Sequence, residues 1–168
     1  TVGERIACML QQSLIPAYRS IIEGQDPVRA LMQSRRVQAV LEFYRGRLYP
    51  IFQTYATADK LDVTEVDSIN LKELMVMVKD GRLFDSNFSV PDLIEIFTAV
   101  NSSFSAEAED DDQLELSFEE FVDVVVRICN RKIPEGSRCG SPFELTLQSW
   151  LHLSFMPVYT KIAKQKMK

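Results

Sequence analysis

The chain has 168 residues, of which 46% are hydrophobic and 26% are charged, and its formal net charge is −5. This composition excludes a wholly disordered chain, and no apolar run of about 18 residues could form a membrane span. The three cysteines, Cys8, Cys129 and Cys139, are odd in number and have no CxxC spacing, so neither a disulfide framework nor a zinc site is expected. We therefore expect a protein of a reducing, cytoplasmic compartment.

The charge is unevenly divided along the chain. Residues 1–55 hold 7 basic and 4 acidic residues, residues 56–125 hold 4 and 18, and residues 126–168 hold 8 and 2. An acidic middle between two basic ends favours ion binding, repulsion of nucleic acid and membranes, or recognition of partners of opposite charge. A solvated acidic face is the simplest alternative.

The first half of the chain shows helical periodicity. Ile6, Leu10 and Leu14 form one apolar stripe, and Asp26-Pro27 is typical of a helix start. A longer stripe follows, and Pro50 inside it predicts a kink or two helices. The stripe places eight side chains on one face: Val37, Val40, Leu41, Tyr44, Leu48, Ile51, Phe52 and Tyr55.

Two later helices are predicted to begin with the same capping box. Asn70 lies three residues before Glu73, and Ser117 lies three residues before Glu120, which is the spacing of a capping box. Three proline-containing segments also mark helix boundaries. They are Ser89-Val90-Pro91-Asp92 and Ser141-Pro142, which predict helix starts, and Pro157, which predicts a break before a last helix. No alternating strand competes, so we predict an all-α protein of about six or seven helices.

The region between residues 48 and 125 contains a repeat. Residues 48–78 and 93–125 each give a helix, a polar loop, a small apolar element at Ile69 or Leu116, and a glutamate four residues later. This pattern resembles the EF-hand superfamily over residues 37–131. The resemblance implies a paired, degenerate EF-hand (helix-loop-helix) core at 37–131, with flanking helical segments at 1–36 and 132–168.

The loops depart from the calcium-binding pattern. A calcium loop needs oxygen ligands and a glycine at its sixth position. Val66 stands where the first loop needs an oxygen ligand, and Leu114 stands where the second loop needs the glycine. The two loops are also about six and eight residues too long. We therefore expect no metal cofactor. The weak candidate ligands, with calcium as the alternative cofactor, are Asp110, Asp111, Asp112 and Glu120.

A degenerate branch of the superfamily is more similar still. Phe52-x-x-Tyr55, Lys79-Asp80-Gly81-Arg82-Leu83, Val90-x-Asp92-Leu93 and Leu116-x-Phe118-x-x-Phe121 resemble the core of the tubulin-polymerisation-promoting-protein family and EF-hand-like modules of flagellar axoneme proteins. The resemblance implies a helical scaffold that docks on microtubules or axonemal proteins, with little or no calcium chemistry. Cytoskeletal protein partners and a location in the axoneme of a cilium or flagellum follow as expectations.

The C-terminal flank supplies candidate partner-binding residues. These side chains are expected to fill the groove between the two hands, to bind a partner helix there, or simply to complete the core. The candidates are Phe143, Leu147, Trp150, Leu151, Phe155 and Tyr159.

Sequence motifs for catalysis are missing. No Gly-rich phosphate loop, HExxH or GxSxG occurs, and His152 is the single histidine. A pI near 5.0 opposes nucleic-acid binding, and the lysine-rich C-terminal end lacks the bulky apolar face of a membrane anchor. The main hypothesis is a non-enzymatic interaction module of a cytoskeletal assembly. The alternative is a calcium-responsive switch that uses the loop at 107–120.

Overall fold

Helices dominate the computed structural model, which describes residues 26–56, 68–104 and 115–166. This confirms the predicted all-α class in its coarse form. The stripe at Ile6, Leu10 and Leu14 lies outside the described residues. The helices are α1 (Pro27–Met32), α2 (Arg35–Ala56), α3 (Leu71–Asp80), α4 (Val90–Phe104), α5 (Phe118–Lys132), α6 (Phe143–Trp150) and α7 (Met156–Lys166).

The first two helices are separated by a short break at residues 33–34. Asp26 begins α1 as expected, because its carboxylate accepts hydrogen bonds from the backbone N–H groups of Val28 and Arg29, at 3.1 and 3.4 Å. The alternative prediction of two helices divided at Pro50 is wrong, since α2 continues through Pro50 as one helix. Pro50 has no N–H to donate to the Gly46 carbonyl. Both residues are exposed, so water can donate a hydrogen bond to that carbonyl instead.

Two very short strands join the halves of the middle region. Strands β1 (Ile69–Asn70) and β2 (Glu115–Leu116) pair antiparallel, with Ile69 opposite Leu116 and Asn70 opposite Glu115. Ile69 and Leu116 are completely buried. Each strand runs directly into a capped helix, so the molecule contains two successive helix-strand-helix units, α2-β1-α3 and α4-β2-α5.

Helix α5 lies at the centre of the core. Its residues 121–129 are all buried, and it packs against α1, α2, α4 and α6. An aromatic cluster lies where α5 meets α2: the Phe52 ring centroid is 5.5 Å from that of Phe118 and 5.4 Å from that of Phe121. Aromatic pairs at such distances add to the stabilisation that burial alone provides.

The C-terminal helices form one nearly continuous rod. A π-helical segment, Leu151–Phe155, joins α6 to α7, and the Met156 N–H donates to the Leu151 carbonyl five residues earlier. The break predicted at Pro157 is therefore wrong: the proline lies in the first turn of α7, where a missing N–H is tolerated after the wider π turn. Ser141 does not cap α6, because Pro142 takes the cap position and no side chain bonds there.

The predicted segment boundaries fall within helices. Residues 36 and 37 lie side by side inside α2, and residues 131 and 132 are the last two of α5. The C-terminal helices also share one hydrophobic core with the two central units. In the described ranges, none of the helices has the length and apolar character needed to cross a bilayer.

Candidate interaction surface

The two glutamates at the starts of α3 and α5 act as caps. Glu73 Oε2 accepts from the Asn70 N–H at 2.9 Å, and the Asn70 side chain accepts from the Glu73 N–H at 3.0 Å. Glu120 Oε2 accepts from both the N–H and the hydroxyl of Ser117, at 2.7 and 2.8 Å. Both predicted capping boxes are confirmed. Each carboxylate therefore already holds backbone donors at a helix start.

The candidate metal ligands are only partly described. Asp110, Asp111 and Asp112 lie outside the described residues, while Glu120 is half-buried and bonded to Ser117. Among the residues that the structure describes, no three carboxylate, histidine or cysteine side chains come together in a way that would hold an ion.

The six predicted partner-binding residues lie inside the chain's own core. Their rings contact one another: the Trp150 and Phe155 centroids are 5.1 Å apart, and the Phe155 and Tyr159 centroids are 4.6 Å apart. A partner helix at this position would have to displace α6 and α7. All six are less than a tenth exposed: Phe143, Leu147, Trp150, Leu151, Phe155 and Tyr159.

Tyr159 fastens the C-terminal helix to the first unit. Its hydroxyl donates to the Met77 carbonyl at 2.8 Å, and its ring meets the Tyr55 ring edge-on at 6.1 Å. A β-carbon at Gly81 would overlap the tyrosine hydroxyl and lie 2.8 Å from its Cζ, so the absence of a side chain there lets the ring approach. Burial raises the pKa values of both Tyr159 and Tyr55, the latter also through a hydrogen bond to Asp80.

A buried ion network fastens α1 to the second unit. Arg127 bonds to Asp123 one turn earlier, Nε to Oδ1 at 2.6 Å, and also to Asp26 at the cap of α1. Burial raises the pKa of Asp123 despite the arginine. At Asp26, the hydrogen bond and charge of Arg127 outweigh burial, so the pKa of that carboxyl is lowered. The network thus joins Asp26 and Arg127, which are 101 positions apart in the sequence.

The two described cysteines do not indicate nucleophilic chemistry. Cys129 is fully buried, and burial raises the pKa of its thiol to about 12, which disfavours the reactive thiolate. Cys139 is exposed in the segment before α6. His152 lies on the exposed side of the π-helical segment.

An open groove lies along the outside of the C-terminal rod, and we call it the outer groove. Its main part has a volume of about 400 Å³, with walls formed by Pro50, Ile51 and Thr54 of α2 and by Met156, Thr160 and Ala163 of α7. A second part of about 370 Å³ continues past Arg47 to the exposed side chains of Phe43 and Leu153.

The outer groove was not predicted from the sequence. Phe43 is off the core stripe of α2 and is 66% exposed, while Leu153 is 73% exposed in the π-helical segment. The position of Phe43 away from the apolar stripe could have indicated this surface, because a large apolar side chain is unusual on the polar side of a helix. The π turn, which presents Leu153 outward, had no comparable signal.

Comparison with protein-family models, with curated proteins and with solved structures found no match.

Proposed function

We propose that the chain is a non-enzymatic protein-interaction module of a cytoplasmic cytoskeletal assembly, built on a paired, degenerate EF-hand core that does not use calcium. The observation that carries this proposal is the antiparallel pairing of Ile69 with Leu116. Each residue lies four positions before a glutamate and directly precedes a capped helix. Short pairing of this kind between two helix-loop-helix units is the arrangement that the EF-hand resemblance implies.

Loss of calcium chemistry is supported by the roles of the two glutamates. In a calcium loop the final glutamate gives both carboxylate oxygens to the ion. Here Glu73 and Glu120 each accept hydrogen bonds at the start of their own helix. The side chains of α6 and α7 fill the core beside α2 and α5, so no calcium-driven opening is needed to place an apolar helix there.

The cytoskeletal part of the proposal comes from the sequence resemblance and from charge. Residues 126–168 hold 8 basic and 2 acidic residues. Arg127, Arg131 and Lys132 pair with carboxylates of the chain, so the part that suits the acidic tails of tubulin is the run of four lysines at 161–168. A microtubule-based assembly of a cilium or flagellum is the specific setting proposed. Nucleic acid and membranes are not proposed as partners.

Microtubule co-sedimentation with the full chain tests this function. We expect binding at low salt that weakens as salt is raised, because exposed charges are screened over about 10 Å at 0.1 M ionic strength. Microtubules whose acidic tails have been removed by limited proteolysis serve as the matched control and should bind less. Failure to pellet with intact microtubules at low salt would contradict the proposal.

Calorimetry with calcium on chelator-stripped protein tests the metal-free part. We expect no heat of binding at calcium concentrations up to the millimolar range. A micromolar site with a change in helicity would instead support a calcium-responsive switch in the 107–120 loop.

A further inference from the structure

The outer groove has the form of a helix-binding site. Phe43, Arg47, Pro50 and Thr54 follow one another along α2 at spacings of three and four residues, so they line one side of that helix. The distance from Phe43 to Thr54 along the helix is roughly 16 Å, or about three turns. The opposite wall, on the π-helical segment and α7, places Leu153, Met156 and Thr160 in the same order.

Apolar side chains are open to solvent at one end of this groove. Phe43 and Leu153, the two most exposed large hydrophobic residues described, lie on opposite walls of its smaller part. Leu153 is held outward by the π-helical segment, a feature that is often found at functional sites. Exposed apolar side chains that line a groove are typical of an interaction site.

Arg47 is the charged residue that lines both parts of the groove, and no carboxylate lies among the described lining residues. On the α2 wall the sequence from Phe43 to Ala56 has two arginines and no acidic residue, in a chain with a net charge of −5. Arg45 turns away and bonds to Glu119. Arg47 lies over the rings of Phe43 and Tyr44, at 5.4 and 5.8 Å, and has no carboxylate partner in the described part of the chain.

We propose that the outer groove binds an amphipathic helix of a partner protein, with its apolar face on the groove floor and an acidic side chain towards Arg47. The mode is helix-in-groove recognition, in which anchors spaced by three and four residues enter an apolar groove. The largely apolar described lining, with Arg47 as its one cation, distinguishes this site from a phosphate-binding surface. The inference rests on the proposed role as an interaction module and adds the chemistry of the partner.

A peptide-binding assay on the full chain tests the site. The probe is a fluorescent 18-residue peptide with leucines along one helical face and glutamates on both flanks. One control peptide carries lysines in place of every glutamate, and another has the same composition without an apolar face. We expect the acidic amphipathic peptide to bind at least about tenfold more tightly than either control, and to weaken as salt rises from 50 to 500 mM because its charges are screened.

Variants of the chain locate the site. Leu153→Asp and Arg47→Glu should each weaken binding about tenfold, which corresponds to about 1.4 kcal/mol. Val76→Asp and Lys72→Glu, matched exposed changes on α3, should leave binding unchanged, and circular dichroism should show that all four variants remain folded. Equal binding of the acidic and lysine peptides, or wild-type binding by Leu153→Asp, would overturn the inference.

The oligomeric state of the free chain gives an independent test. Light scattering should show a monomer across the concentrations used. A dimer that Leu153→Asp dissociates would mean that a second copy is the occupant, against the inference. Pelleting with microtubules without peptide binding would contradict this inference but not the proposed function. Peptide binding without pelleting would contradict the proposed function but not this inference.

Discussion

Helices α3 and α5 begin with the same capping box but are buried very differently. In α3 the buried residues are Glu73, Leu74, Met77 and Val78, which follow one stripe, and Val76 on the other side is 47% exposed. In α5 nine consecutive residues, 121–129, are buried, including Asp123 and Arg127.

The neighbours of each helix explain this difference. Helix α5 packs against α1, α2, α4 and α6, whereas α3 packs against α2 and α4 and receives Tyr159 from α7. A capping box fixes where a helix begins, because its bonds are local. How much of the helix is buried depends on packing with segments far away in sequence. Helix α5 is therefore the centre of the fold, whereas α3 lies at its edge.

The largest expected effect comes from opening the core around α5. Phe121 is completely buried and its ring meets that of Phe52, so Phe121→Ala should lower the free energy of unfolding by about 3–5 kcal/mol, through lost burial and the cavity left behind. Urea denaturation followed by circular dichroism measures the change. Val76→Ala on α3 is the matched control and should change stability by less than about 0.5 kcal/mol. Similar losses for the two variants would contradict the central role of α5.

Removing the buried cation of α5 should come next. Arg127→Ala leaves Asp123 and Asp26 close together without their shared partner, and breaking a buried pair in this way costs about 3 kcal/mol. The same urea titration measures the loss.

A double variant separates the unpaired charge from the lost packing. Arg127→Met combined with Asp123→Leu removes the two charges on α5 and fills their space with apolar atoms. It leaves only Asp26, whose side chain is 30% exposed, so the double variant should recover much of the stability. If the double variant is no more stable than Arg127→Ala, the cost belongs to packing and not to the stranded carboxylates.

A smaller loss is expected where α7 contacts the first unit. Gly81 has an ordinary helical φ of −72°, so Gly81→Ala tests only the space beside Tyr159. Because the tyrosine ring is buried and bonded to the Met77 carbonyl, it cannot move away freely, and the overlap should cost about 1–3 kcal/mol. Gly136→Ala is the matched control, since nothing lies within 4 Å of a β-carbon there. Equal stability of the two variants would show that Tyr159 does not hold α7 in place.

The elements that the sequence predicted well are those set by local bonds. The caps at Asp26, Asn70 and Ser117 depend on residues two or three positions away, and all three form. The breaks expected at Pro50 and Pro157 fail because packing outweighs one lost hydrogen bond: α2 buries residues on both sides of Pro50, and a π turn accommodates Pro157.

The candidate surface was harder to predict, for a related reason. An apolar stripe such as Phe143 to Tyr159 has the same spacing whether its own chain or a partner covers it, and here the chain covers it. The Asp123–Arg127 pair also reads as an exposed i, i+4 pair until α1 brings Asp26 across it. Phe43 and Leu153 become a surface only when α2 and the π-helical segment lie side by side.

The two caps themselves should give the smallest effects and distinguish the two units once more. Asn70→Ala should cost about 1 kcal/mol, because the half-buried Glu73 N–H loses its acceptor at 3.0 Å. Ser117→Ala should cost less, since the corresponding bond to the Glu120 N–H is 3.4 Å long and exposed, so water replaces it. Asn70→Ser and Ser117→Asn, which keep an acceptor, should each retain most of the lost stability. A larger loss for Ser117→Ala than for Asn70→Ala would mean that the second cap supports more than the start of its helix.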